Sequence, residues 1–320
     1  MFCAQFFSMA QVLEVVNVSD CRLPADAVRA ILLGLSENSA LVEIELNLSK
    51  NELRSSGAAA LAEHLPKVAN IKKLDISENG LESDLVKVFE SLGSNQSIKQ
   101  LYVGQNFEKK NPNATLEALV QLISEENSHI NTLSIADSRL KQDVTPLLDA
   151  LGTNETLVEL DISGNQMGDE GARILAKALQ LNTKLRKLHW DRNGTTRRGF
   201  GDISAALASN HALHSLPTPL IDVSQCIKNH QTQVERHLRE IERFLLRNQS
   251  PHKMVTEQAY RLQQGLLVTS IQQQVHRLIV QLQDMVNGLR GCTDPDVEEK
   301  VSKAKRYIQD ADKMKQVLFK

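Results

Sequence analysis

Tryptophan is nearly missing from this 320-residue chain, with one residue, and aromatic residues reach only 4%. A core here must be built from aliphatic side chains. Cysteine is scarce too. Its four positions, 3, 21, 226 and 292, lie far apart with no C-x-x-C pair. That excludes a zinc ribbon and a disulfide scaffold, and it points to a reducing compartment. No apolar run is long enough to span a bilayer. The opening MFCAQFFSMA is apolar but lacks the basic start and cleavage site of a signal peptide. Neither sign of charge dominates, with 37 basic against 39 acidic residues. Residues 1–220 sum to −6 and residues 221–320 to +4. The second value is too mild to indicate nucleic acid. There is no phosphate-binding loop, no G-x-S-x-G, no H-E-x-x-H and no dinucleotide glycine pattern. His211 and His214 are three apart, but no cysteine or acidic partner accompanies them, so they make no metal site. No catalytic residue, cofactor or metal is expected, and the chain reads as non-enzymatic.

What is present is a repeat. LVELDISGNQMGDEGARILAKALQLN, residues 157–182, begins as a strand, with Leu157, Leu160, Ile162 and Asn165 at L-x-x-L-x-L-x-x-N spacing. It continues as a helix, with Ala172, Leu175, Ala176 and Leu179 at helical spacing. One such unit cannot bury its apolar face alone and needs stacked copies. Copies start about 27 to 32 residues apart, the long form of the leucine-rich repeat. The copy at Leu46, Leu48 and Asn51 carries an insertion in its strand. An eighth begins at Leu213 and Leu216 and is ended by Pro217 and Pro219. Asn51, Asn79, Asn106, Asn165 and Asn193 form an expected asparagine ladder, with Cys21 and Ser138 at the equivalent positions. Trp190 falls on an inward position and reads as core. Phe2, Phe6 and Met9 have helical spacing and read as the end of a preceding repeat's helix. No polar capping repeat precedes them, so a fragment or shortened form is expected. Seven N-x-S/T sequences, at Asn17, Asn47, Asn95, Asn113, Asn154, Asn193 and Asn248, read as chance products of Asn-rich turns.

The expected fold class is α/β: a leucine-rich-repeat solenoid over residues 1–216, with a curved parallel sheet and outer helices, followed by an all-α bundle over 217–320. The prolines of SLPTPL mark the expected boundary. Beyond it Ile227, Val234, Leu238, Ile241 and Leu245 give one amphipathic helix. Ile271, Val275, Leu278, Leu282 and Met285 form the apolar seam of a second. Asp294 and Pro295 open a third. The wide stripe on the second helix is more than an intramolecular core needs, so these five seam residues are the candidates for pairing two chains.

Strand positions between the inward leucines face the concave side. They nominate Lys72, Lys73, Lys99, Tyr102, Glu159, Asp161, Arg186, Lys187 and His189 as partner-binding residues.

The long repeats ending in KLRKLHWDRNGTTRRGFGDISAAL pass through LHSLPTPLIDVSQC into HLREIERFLLRNQSP and TSIQQQVHRLIVQLQ. This combination resembles the CARMIL family, the leucine-rich-repeat linkers of actin capping protein and myosin-I, over essentially the whole chain. The resemblance implies a non-enzymatic regulator of actin assembly in cytoplasm and at the leading-edge plasma membrane, in lamellipodia and cell migration. It implies homodimerisation through the helical domain. It also implies binding to capping protein through a tail that this sequence does not contain, with myosin-I and other actin regulators as further partners. Membrane contact would come mainly from domains not present here. A second reading is a GTPase-activating or other protein-binding repeat module, for which Arg192 and Asn193 are the candidate residues.

Overall fold

The computed structural model describes residues 2–249 apart from 109, 126 and 127, and residues 287, 301–306 and 308–309. The chain divides into two compact units, 1–249 and 250–320. The described residues of the second unit are helical. The seam Ile271, Val275, Leu278, Leu282 and Met285 lies outside the described residues, as does the expected third helix's start at Asp294 and Pro295.

In the first unit seven short strands alternate with helices. The strands are β1 (Val15–Asn17), β2 (Ile44–Asn47), β3 (Ile71–Asp75), β4 (Gln100–Tyr102), β5 (Thr132–Ser134), β6 (Glu159–Asp161) and β7 (Lys187–His189). They form one parallel sheet in sequence order. The helices are α1 (Phe2–Met9), α2 (Ala25–Glu37), α3 (Arg54–His64), α4 (Leu85–Gly93), α5 (Asn113–Ser124), α6 (Thr145–Leu151), α7 (Gly168–Leu181), α8 (Arg197–Ser209) and α9 (Leu220–Gln249). Each packs on the next.

Register explains the core. Val16, Leu46, Leu74, Leu101, Leu133, Leu160 and Leu188 are paired across the sheet in one row. All seven are buried against the helices. Stacking converts seven open apolar faces into one continuous core. The insertion in the second copy appears as a register shift between Ile44 and Glu45. The truncated eighth copy survives as a single bridge, Lys187 to Ser215.

The asparagine ladder is present. Asn79 Oδ1 accepts from Asn51 N at 2.8 Å, Asn106 Oδ1 from Asn79 N at 2.9 Å and Asn193 Oδ1 from Asn165 N at 3.1 Å. Each Nδ2 donates to carbonyl groups of its own and the preceding turn, as Asn165 does to Ile162 and Ile135. Cys21 is exposed and stands in for an asparagine: its Sγ donates to Ser19 O at 3.2 Å, and its backbone N–H is accepted by Asn51 Oδ1 at 2.9 Å.

A second ladder runs where helices return to strands, and sequence reading missed it. Asn38, Asn70, Asn95, Asn154, Asn182 and Asn210 are buried. Their Nδ2 groups donate to carbonyls one repeat back, as Asn182 does to Leu151 and Asn210 to Leu179. The signal was available as N-x-x-L or N-x-x-I at 38, 95, 154, 182 and 210. It also gives several N-x-S/T sequences a physical reason: Asn95, Asn154, Asn193 and Asn248 are buried rungs.

Helix α9 changes the expected division at 216. It packs on α8 and belongs to the first unit. Its two ends complete both ladders. Asp222 accepts from Asn193 N at 2.9 Å, Gly194 N at 3.0 Å and Thr195 N at 3.3 Å. Asn248 donates to Asn210 O and Leu213 O at 3.1 and 2.8 Å. Arg247 adds bonds to the carbonyls of Leu207, Ala208 and Asn210. This helix therefore caps the last repeat of the solenoid. At the other end α1 is helical as expected. Among its described side chains Phe7 is buried, whereas Phe6 and Met9 are exposed.

Candidate functional site

Three rows of side chains cover the concave face because seven parallel strands keep register. One row is Val15, Glu45, Lys73, Gln100, Thr132, Glu159 and Lys187. The next is Asn17, Asn47, Asp75, Tyr102, Ser134, Asp161 and His189. Backbone bonds place Lys72, Lys99, Asn131, Val158 and Arg186 in a third row before them. Alternation along the strands accounts for Lys73, Tyr102, Glu159, Asp161, Lys187 and His189 in the first two rows, while Lys72, Lys99 and Arg186 stand one residue earlier, in the third.

Their charges are largely matched within the face. Lys72 and Lys99 both reach Glu43, at 2.9 and 3.9 Å. Lys73 pairs with Glu45 at 3.1 Å, and its ammonium lies 5.4 Å from the Tyr102 ring centre. Glu159 stands between Lys187 at 3.3 Å and His189 at 3.4 Å. The hydrogen bond from Lys72 holds the Glu43 carboxyl below its ordinary pKa. The bond to Glu45 raises Lys73. Burial raises the Tyr102 hydroxyl, against the opposing charge of Lys73, and Glu159, Asp75 and Glu45 add to the rise. Arg186 is committed to the carbonyls of Thr183 and Ala212.

The middle of the face is low. Thr132 and Ser134 point to the concave side yet are only 8% and 6% exposed. Taller side chains on β4 and β6 flank this strand of short residues. Thr132 and Ser134 are thus covered by their neighbours, with Tyr102 on one side and Glu159 and Asp161 on the other.

Trp190 is buried, edge-on to Phe200 at 5.6 Å, and is core. Asn193 is fully buried in the ladder, and Arg192 pairs with Asp137 at 2.9 Å. The two residues nominated for GTPase activation therefore do not form an exposed pair. Among the described residues no group of three or more His, Cys, Asp or Glu could hold a metal, and no helix is long and apolar enough to cross a membrane.

A curved parallel sheet backed by helices and pinned by asparagine ladders defines a leucine-rich-repeat protein of the long-repeat type. The family model described as CARMIL family, LRR domain, matches residues 2–250, and the chain belongs to that family. It is 45% identical over 309 residues to the human and rat capping protein, Arp2/3 and myosin-I linker protein 3, covering 96% of this chain and 22% of each relative. Protein CARMIL of Dictyostelium discoideum is 35% identical over 257 residues, covering 77% of this chain and 24% of that protein. The chain thus spans about a fifth to a quarter of the length of these relatives. A solved leucine-rich-repeat protein, LegL7 of Legionella pneumophila, superposes with a TM-score of 0.50 at 15% identity over 75% of each chain, which speaks to the fold alone.

Proposed function

We propose that this chain is the repeat arm and pairing segment of a non-enzymatic scaffold that regulates actin assembly. The observation that carries the reading is 45% identity, along 96% of this chain, to linkers whose names join capping protein, Arp2/3 and myosin-I. In this reading the solenoid is a rigid spacer with a docking face on its concave side, and residues 250–320 pair two copies. Pairing raises the local concentration of tethered partners into the millimolar range for suitable spacers. Capping protein, Arp2/3 and myosin-I are the expected partners of the whole protein, at the cytoskeleton and the leading-edge membrane.

Native mass by light scattering at tens of micromolar tests the pairing. The full chain should show twice its monomer mass, and Leu278→Asp with Leu282→Asp should halve it. A monomeric full chain would reject the reading.

A further inference from the structure

Two carboxylates of the concave face stand outside its ion pairs. Lys72, Lys73, Lys99, Lys187 and Arg192 each have a carboxylate within 4 Å. Among the described residues Asp75 and Asp161 have no cation at that distance. Asp75 accepts from Ser77 N at 2.9 Å. Asp161 accepts from Ser163 N at 2.9 Å and from the Ser134 hydroxyl at 3.5 Å. These bonds occupy only part of each carboxylate's capacity, which reaches about four lone-pair sites. An anionic partner would have to break existing ion pairs to reach the lysines, and Arg186 is held on the carbonyls of Thr183 and Ala212. A cationic partner would meet two carboxylates that have no such pair.

Shape and spacing agree. Asp75, Tyr102, Ser134 and Asp161 are consecutive members of one transverse row. Adjacent strands lie about 4.8 Å apart, so the two carboxylates are about 14 Å from each other. An extended chain rises about 3.3 Å per residue, so residues i and i+4 on one side of it are about 13 Å apart. Between the carboxylates stand a ring that already draws the Lys73 ammonium to 5.4 Å and the short, buried side chain of Ser134. Aromatic faces attract guanidinium and ammonium groups, and guanidinium matches carboxylate geometry.

We propose that the row Asp75–Tyr102–Ser134–Asp161 docks an extended basic segment of a protein partner, with cationic side chains four residues apart on the two carboxylates. This rests on the reading of the concave face as a docking surface and names the chemistry of its partner.

The probe is a fluorescein-labelled nine-residue Gly/Ser peptide with two arginines four apart, followed by anisotropy against the full chain. Peptides with glutamine or glutamate at those two positions serve as comparisons. The di-arginine peptide should bind saturably and the other two should not. Asp75→Asn with Asp161→Asn keeps an acceptor for the turn N–H groups and should weaken binding about tenfold or more. Ser134→Arg, which sets a guanidinium of the chain itself between the two aspartates, should do the same. It provides an independent check should the double variant melt early. Unchanged binding in folded variants would overturn the proposal. Saturable binding of the glutamate peptide alone would also overturn it, while leaving the docking reading standing. Binding of none of the peptides would count against both, and a chain that still pairs normally would keep the pairing reading apart from that failure.

Discussion

Arg192 reaches over a whole repeat to Asp137. Its guanidinium lies 2.9 Å from the Asp137 carboxylate, although repeat six stands between them. The residue in the gap is Gly164, and a Cβ there would lie 2.1 Å from Asp137 Oδ1 and 2.9 Å from its Cα. All three residues have left-handed backbone, with φ of 58° at Asp137, 72° at Gly164 and 60° at Arg192. Aspartate and arginine tolerate that conformation at some cost, but glycine is the residue that also leaves the space open.

Gly164→Ala should therefore destabilise the chain by about 1–3 kcal/mol through backbone strain and the clash. Arg192→Ala should cost about 1 kcal/mol or less, because both partners of the pair are partly exposed. Thermal melts of the two variants check the contrast. Equal losses would show that the ion pair, not the space above residue 164, carries the effect.

The ladder is weakest at Ser138. Its hydroxyl accepts from Gln105 N at 3.0 Å, where neighbouring rungs use an asparagine oxygen to bind an asparagine N–H. Ser138→Asn should restore the rung and raise the melting temperature by a few degrees, since one added hydrogen bond is worth about 1 kcal/mol. Asn165→Ala should do the opposite. It leaves Ile162 O and Ile135 O without that donor, with about 1–3 kcal/mol lost per unmatched buried group. A melting point within a degree of wild type for Asn165→Ala would contradict the ladder's role.

Asp222 fastens α9 to the last turn. Asp222→Ala strips the acceptor from Asn193 N, Gly194 N and Thr195 N together. It should loosen the final repeats and the cap before the rest of the solenoid. Trp190, the one tryptophan, lies in that region and provides the readout. Its fluorescence should shift at lower denaturant than the far-ultraviolet dichroism in the variant and together with it in the wild type. Coincident transitions in Asp222→Ala would argue against local loosening.

The α8–α9 contact also carries a pH signature. The Ser204 hydroxyl donates to Glu240 at 2.8 Å, and this bond, with His237 and Arg236 nearby, holds the Glu240 carboxyl below its ordinary pKa of 4.5. A depressed carboxyl contributes stability above its unfolded pKa and loses it as pH falls through the folded value. Glu240→Gln should flatten the fall of melting temperature from pH 5 toward pH 3. An unchanged slope would assign the acid sensitivity elsewhere.

Much of this molecule was legible from residue order alone. Period-two and helical spacing identified the strands, the inward leucines, the asparagine ladder and the buried Trp190, because a stacked repeat imposes the same local environment many times over. Alternation likewise placed Lys73, Tyr102, Glu159 and His189 on one face. Tertiary structure decided the rest, since it depends on what stands one repeat away. That α9 caps the last repeat turns on Asp222 and Asn248 reaching backbone groups 27 to 38 residues earlier, which no spacing rule within a helix reveals. The same holds for the burial of Ser134 and for the two aspartates that have no cation within 4 Å among the described residues. Side-chain height and charge matching arise only when neighbouring strands lie in register.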